Sequence, residues 1–163
     1  MPVLITAGLS PQAYRLQRIL HVSDVVFADN SQLPGIPGIS TLVIPTHDSA
    51  SFVHEMLKAC LDHKITKVYP LKLDEVMQLS RARALFSEYE VMLMIPSDEW
   101  LKHHTNINVG ISENIVVLEN GKQIAGTSFP NNFLLSKESG IFSWAIIEQK
   151  FEYNLYLIDD AAL

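Results

Sequence analysis

The stretch that decides the fold runs Val3-Leu4-Ile5-Thr6-Ala7-Gly8-Leu9-Ser10-Pro11 and on to Asp24-Val25-Val26-Phe27-Ala28-Asp29. Residues 3–7 are a short apolar run, read as a buried strand that Gly8 ends. Ser10 caps a helix, and Pro11 at its first position needs no amide partner. That helix runs to about Leu20 with an apolar stripe of Ala13, Leu16, Ile19 and Leu20, leaving Arg15 and Arg18 outward. Residues 24–28 form the next strand, ended by Asp29 and Asn30. A strand, a glycine turn, a helix and a second apolar strand make the unit from which parallel sheets are built.

The pattern continues. A loop over residues 31–40 holds Pro34-Gly35 and Pro37-Gly38. A third strand over 41–44 closes at Pro45. Asp48 is read as the cap of a helix over 49–63, with Val53, Met56, Leu57 and Cys60 at the spacing of one face. Residues 67–71 are a fourth strand. Asp74 opens a helix to about Glu88, and residues 91–95 are a fifth strand closed by Pro96. Ser97, followed by Asp98 and Glu99, caps a short helix. Residues 1–104 therefore read β-α-β-β-α-β-α-β-α, a mostly parallel sheet with helices on both faces.

The period changes after His104. Residues 114–119, Asn120-Gly121 and 122–126 carry a hairpin signal, and Asn-Gly suits a type I′ turn. Residues 133–136, 141–148 and 151–158 are read as further strands. In the last, Phe151, Tyr153, Leu155 and Leu157 share a face opposite Glu152 and Asn154. Residues 105–163 are thus an antiparallel meander that extends the first domain and packs on it or on a partner subunit.

Composition limits the function classes. The 163 residues are 48% hydrophobic and 18% charged, below the usual quarter, with a net charge of −6. Disorder is excluded as the main state. There is no basic run, which removes the main attraction for nucleic acid, and no apolar stretch of about 18 residues for a membrane span. The single cysteine, Cys60, excludes an internal disulfide framework and lies on an apolar helix stripe, where a buried thiol is expected. The N-terminus lacks a charged leader, and a cytoplasmic location is expected.

In an open parallel sheet, ligands bind beyond the carboxyl ends of the strands. Gly8, Ser10, Asp29, His47, Lys72 and Asp74 fall there and form the candidate ligand-binding set. Gly8 and Ser10 lead into a helix N-terminus that favours anions. Asp29 stands about twenty residues on, where an acid can accept from a ribose hydroxyl. Lys72 can pair with Asp74 and Glu75 or meet an anionic ligand. Only one glycine of a three-glycine dinucleotide fingerprint is present, so no cofactor is assigned. The six histidines show no metal spacing, and His103 and His104 read as a solvated helix end. No complete catalytic constellation is legible.

The first hundred residues resemble a known family. The strand ending at Ala28-Asp29, the Pro/Gly loop, the strand ending at Pro45, and the passage Pro70-Leu71-Lys72-Leu73-Asp74-Glu75-Val76-Met77-Gln78-Leu79 are similar to the pre-ATP-grasp domain. This is the Rossmann-like N-terminal domain of ATP-grasp ligases. Residues 91–97 are similar to the strand and Pro-Ser turn that closes that domain. The resemblance implies a substrate-side and dimer-contact role beside a catalytic ATP-grasp domain, and the remaining sixty or so residues leave no room for one. The expectation is a non-catalytic module, a homo-oligomeric scaffold or accessory protein, with a homodimer through residues 105–163. The alternatives are a regulatory module binding a nucleotide, amino acid or carboxylate, or a substrate-side subunit whose ATP-grasp domain is a separate chain.

Overall fold

The computed structural model describes residues 1–104, 114–128 and 135–158. Five strands build a parallel sheet: β1 (Val3–Ile5), β2 (Val25–Asp29), β3 (Ser40–Val43), β4 (Lys67–Tyr69) and β5 (Met92–Leu93). Their order across the sheet is β3-β2-β1-β4-β5. The reversal of chain direction across the sheet falls between β1 and β4, the topology of a Rossmann-like fold. Five helices connect and cover them: α1 (Pro11–Leu20), α2 (Phe52–Asp62), α3 (Leu73–Ser80), α4 (Arg83–Glu88) and α5 (Asp98–His103).

The two faces of the parallel sheet bury separate apolar clusters. Val3, Ile5, Val25, Phe27 and Tyr69 meet Ala13 and Leu16 of α1. Leu4, Val26, Ala28 and Val68 meet Phe52, Met56 and Cys60 of α2, Val76 and Leu79 of α3, and Phe86 of α4. Alternation of side chains along each strand sends successive residues to opposite clusters, which is why these strands are apolar throughout.

A second sheet is antiparallel and four-stranded: β6 (Asn114–Glu119), β7 (Lys122–Gly126), β8 (Gly140–Ile147) and β9 (Lys150–Leu155). The Asn120-Gly121 hairpin forms as read, with φ of 51° and 80° at the two turn residues. A side chain at position 121 would meet the Ser136 carbonyl, so glycine is demanded there by space as well as by φ. The strand order is β7-β6-β8-β9, so β8 lies beside β6 and not beside β7 as in a simple meander. The sheet shares the cores of the first. Ile115, Val117 and Ile141 join the α1 cluster, while Val116, Leu118 and Phe142 join the other with Trp100 of α5.

Several local expectations are corrected. The helix expected over 74–88 is two helices, broken at Arg81 and Ala82. Asp48 does not cap α2. It accepts from the Thr46 hydroxyl, and Ser51 is the N-cap residue. The turn between β8 and β9 is Glu148-Gln149, both at positive φ, one residue earlier than read. Of the strand expected over 133–136, Phe133 and Leu134 lie outside the described residues, and Leu135 and Ser136 form a turn. Cys60 is buried as expected, and burial pushes its thiol up to about 12.

Candidate functional site

The carboxyl ends of β1, β2 and β4 meet in a polar network built by three side chains. Asp29 ends β2 and is 8% exposed. One of its oxygens, Oδ2, accepts from the Leu9 amide at 3.0 Å, and Oδ1 accepts from the Asn30 amide at 2.7 Å. Lys72 reaches across from the start of α3, its Nζ 3.5 Å from Asp29 Oδ1 and 2.8 Å from Asn30 Oδ1. Asn30 uses its amide group on the Ile44 and Pro45 carbonyls at the end of β3. Four segments of chain are thereby tied at one edge.

The β1–α1 turn is closed in the same way. The Gly8 amide donates to Ala28 O at 2.9 Å and the Ser10 amide to Ala7 O at 2.8 Å. With Leu9 donating to Asp29, three consecutive amides are bonded within the protein. An anion at this turn would have to displace those acceptors, because a phosphate cradle works by offering free N–H groups. Ser10 Oγ donates to Ala7 O and accepts from Ala13 N, capping α1 as read. Gly8 sits in a tight space: a Cβ there would lie 3.0 Å from Phe27 Cβ and 3.2 Å from Leu33.

The six candidate residues therefore divide. Gly8, Ser10, Asp29 and Lys72 are brought together and spend their polar groups on one another and on the backbone. Lys72 pairs with Asp29 and not with Asp74. His47 and Asp74 form a separate pair on the rim, Nε2 to Oδ2 3.5 Å, with side chains 41% and 54% exposed. Asn30, read as ending β2 but outside the candidate set, joins Lys72 to β3, and Thr6, not read as a site residue, has a buried hydroxyl that accepts from Leu71 N at 2.8 Å. The adjacency of Asn30 to Asp29 at a strand end is the one signal that could have found the first.

A second concave region lies at α5. Trp100, His103, His104, Lys137 and Glu138 line it. Glu138 accepts from Ser97 through both oxygens, from the amide and the hydroxyl at 2.6 Å each. His104 stacks on Trp100 with ring centroids 4.0 Å apart. Its Nδ1 donates to the Trp100 carbonyl, which can only accept, so Nε2 is the acceptor that faces the Tyr153 hydroxyl at 3.3 Å. His104 is thus a packed residue joining α5 to β9, and not a solvated helix end. Among the described residues no group of three or more His, Cys, Asp or Glu side chains could hold a metal ion, and no helix is long and apolar enough to cross a membrane.

No protein-family model matches the chain. No curated protein matches it either. Among solved structures it is similar to a GalE-like L-threonine dehydrogenase from Cupriavidus necator, at 15% identity and a TM-score of 0.41 over 52% of this chain and 34% of that one. It is similar to an L-threonine dehydrogenase from Clostridium difficile at 9% identity, TM-score 0.41, over 56% of this chain and 34% of that one. It is similar also to CobK precorrin-6A reductase, at 18% identity and a TM-score of 0.40 over 57% and 37%. The chain spans about a third of the length of these structures, and likenesses this distant carry no functional argument.

Proposed function

We propose that this chain is a non-catalytic module of the pre-ATP-grasp type, acting as a homo-oligomeric scaffold or accessory protein. The observation that carries the reading is the closed strand edge. Asp29, Lys72, Asn30 and the Leu9 amide satisfy one another, and the Gly8 and Ser10 amides donate to the Ala28 and Ala7 carbonyls, so the usual ligand crevice offers few free polar groups. The Pro70 to Leu79 passage supports the pre-ATP-grasp likeness, and the strand order supports only its Rossmann-like sheet. The exposed pair Ile146 and Ile147 at the end of β8, 63% and 45% accessible, supports contact with a further subunit. Sedimentation of the full chain up to high micromolar concentration tests this. Assembly is expected, and a monomer of 18.3 kDa throughout would overturn it.

A regulatory small-molecule module is the second reading, and the His47–Asp74 rim pair favours it, because both side chains stand outside the closed network and face solvent. A carboxylate or phosphate that raised the unfolding midpoint of the wild type but not of His47→Ala would establish it. A separate ATP-grasp chain is the third partner class, tested by co-purification with an ATP-grasp protein.

A further inference from the structure

The sequence between Asp29 and His47 contains no ionisable side chain. The structure places this stretch at a sheet edge: among the described residues β3 has only β2 beside it. Ser40, Thr41 and Val43 are exposed, Val43 at 55%, and Ile36 in the turn leading to the strand is 42% exposed. Natural edge strands are guarded by charges, by proline or by a covering segment, because a free edge pairs with other chains. Among the described residues the guard on this strand is reduced to Pro45.

The hydrogen bonds fix which groups face out. Ile44 N donates to Asp29 O at 2.9 Å, so the backbone groups of residues 40, 42 and 44 face β2. Those of Thr41 and Val43 face away, since alternate residues of a strand address opposite sides. Beyond them no free donor remains. The Ile39 amide donates to Ile36 O at 3.1 Å, and Pro45 has no N–H. The open edge therefore consists of two donors and two acceptors, those of Thr41 and Val43.

We infer that β3 is the contact between two copies of this chain, paired antiparallel about a two-fold axis at Leu42. In that register Thr41 faces Val43 of the second copy and exchanges both backbone bonds with it, and Val43 does the same with the second Thr41. Four hydrogen bonds form, and the outward amides and carbonyls of Thr41 and Val43 are all used. Moving the register by two residues sets Val43 against Ile39, whose amide is committed, or Thr41 against Pro45, which has none. The side chains agree, because the facing Thr41 and Val43 are β-branched, a favourable cross-strand pair. Charge agrees too. Two copies of a chain of net charge −6 repel, and this edge brings no carboxylate to the contact. An isologous contact of this kind closes on itself and continues the sheet through both copies.

The inference rests on the homo-oligomeric reading, moves its contact from residues 105–163, where Ile146 and Ile147 are exposed, to the β3 edge, and adds the register. The experiment is sedimentation of the full chain from low to high micromolar concentration for wild type, Val43→Lys, Thr41→Pro and the double variant Ile146→Glu/Ile147→Glu. Val43 and Thr41 are exposed, and unfolding midpoints near wild type would confirm that both variants fold. The expected result is a wild-type mass twice that of the monomer, with the dissociation constant raised at least about tenfold by either edge variant. A wild-type dimer that only the Ile146/Ile147 variant dissociates would overturn the β3 contact and leave self-assembly standing. A wild-type monomer would overturn both. Amide exchange of the wild type gives an independent reading. Protection of Thr41 and Val43 should rise with protein concentration, and protection unchanged by concentration would contradict the pairing.

Discussion

Lys72 Nζ stands 3.5 Å from Asp29 Oδ1, with the two side chains 12% and 10% exposed, and this pair locks the carboxyl ends of β2 and β4 to the start of α3. A pair so nearly buried is costly to break on one side only, because the remaining charge keeps its desolvation cost without its partner. Lys72→Met should lower unfolding stability by roughly 2–4 kcal/mol in urea titration. A change below about 0.5 kcal/mol, the usual range for surface positions, would show that the pair is not structural.

Gly8 sits where the β1–α1 turn crosses Phe27 and Leu33. Its place is set by contact distance, since an added Cβ would meet Phe27 Cβ at 3.0 Å and Ala28 O at 3.3 Å. Gly8→Val should therefore cost about 1–3 kcal/mol by overpacking, read as a lower thermal midpoint. Ala at this position should cost less, because its neighbours need give by only a few tenths of an ångström.

Glu138 holds the N-terminal turn of α5 by accepting twice from Ser97, whose hydroxyl in turn accepts from Trp100 N at 3.1 Å. Glu138→Ala should cost about 2 kcal/mol, the loss of a charge-assisted pair of bonds. Because Trp100 stacks on His104 and lies against Phe142, the same variant should shift tryptophan fluorescence to longer wavelength. An unchanged spectrum with unchanged stability would remove Glu138 from the role assigned to it.

Three buried groups set the alkaline limit. Burial pushes the Cys60 thiol up to about 12. It does the same for the Tyr69 hydroxyl, helped by the Glu119 carboxylate, and for the Tyr156 hydroxyl against the pull of Arg15 and Arg18. All three stay neutral in the fold while the unfolded chain ionises near its ordinary values. The folded state then binds more protons than the unfolded one, so stability falls with rising pH. It should be unaffected by these groups below pH 8 and decline between about pH 9 and pH 12. A denaturant midpoint constant across that window would contradict the assignment. Thiol reagents should label Cys60 only as the chain unfolds.

Much of the fold was legible because alternation of apolar strands with capped helices is a local signal. Ser10 before Pro11, Ser97 before Asp98 and Asn120-Gly121 all act as the sequence reads. What was missed needed distant partners. The break between α3 and α4 carries no glycine or proline to mark it, and the placing of β8 beside β6 follows from burying both faces of β6, which no strand encodes alone. The candidate site was half legible. Residue types and strand ends located Gly8, Ser10, Asp29 and Lys72 together, but that Lys72 would pair with Asp29 depends on side-chain reach across 43 positions of sequence. His104 was misread because its partner, Tyr153, lies 49 residues away.

The polar groups of Asp29, Asn30 and Lys72 at the carboxyl end of the parallel sheet are committed to the protein itself. The most direct measurement is the thermal unfolding of the wild-type chain with ATP, ADP, amino acids and dicarboxylates, each at millimolar concentration. A ligand present at 100-fold its dissociation constant adds about 2.7 kcal/mol to the stability of the state it binds. An unmoved midpoint is expected for the nucleotides. A rise of several degrees with ATP or ADP, abolished by Lys72→Met in a chain that still folds, would show the edge open to ligand and contradict it.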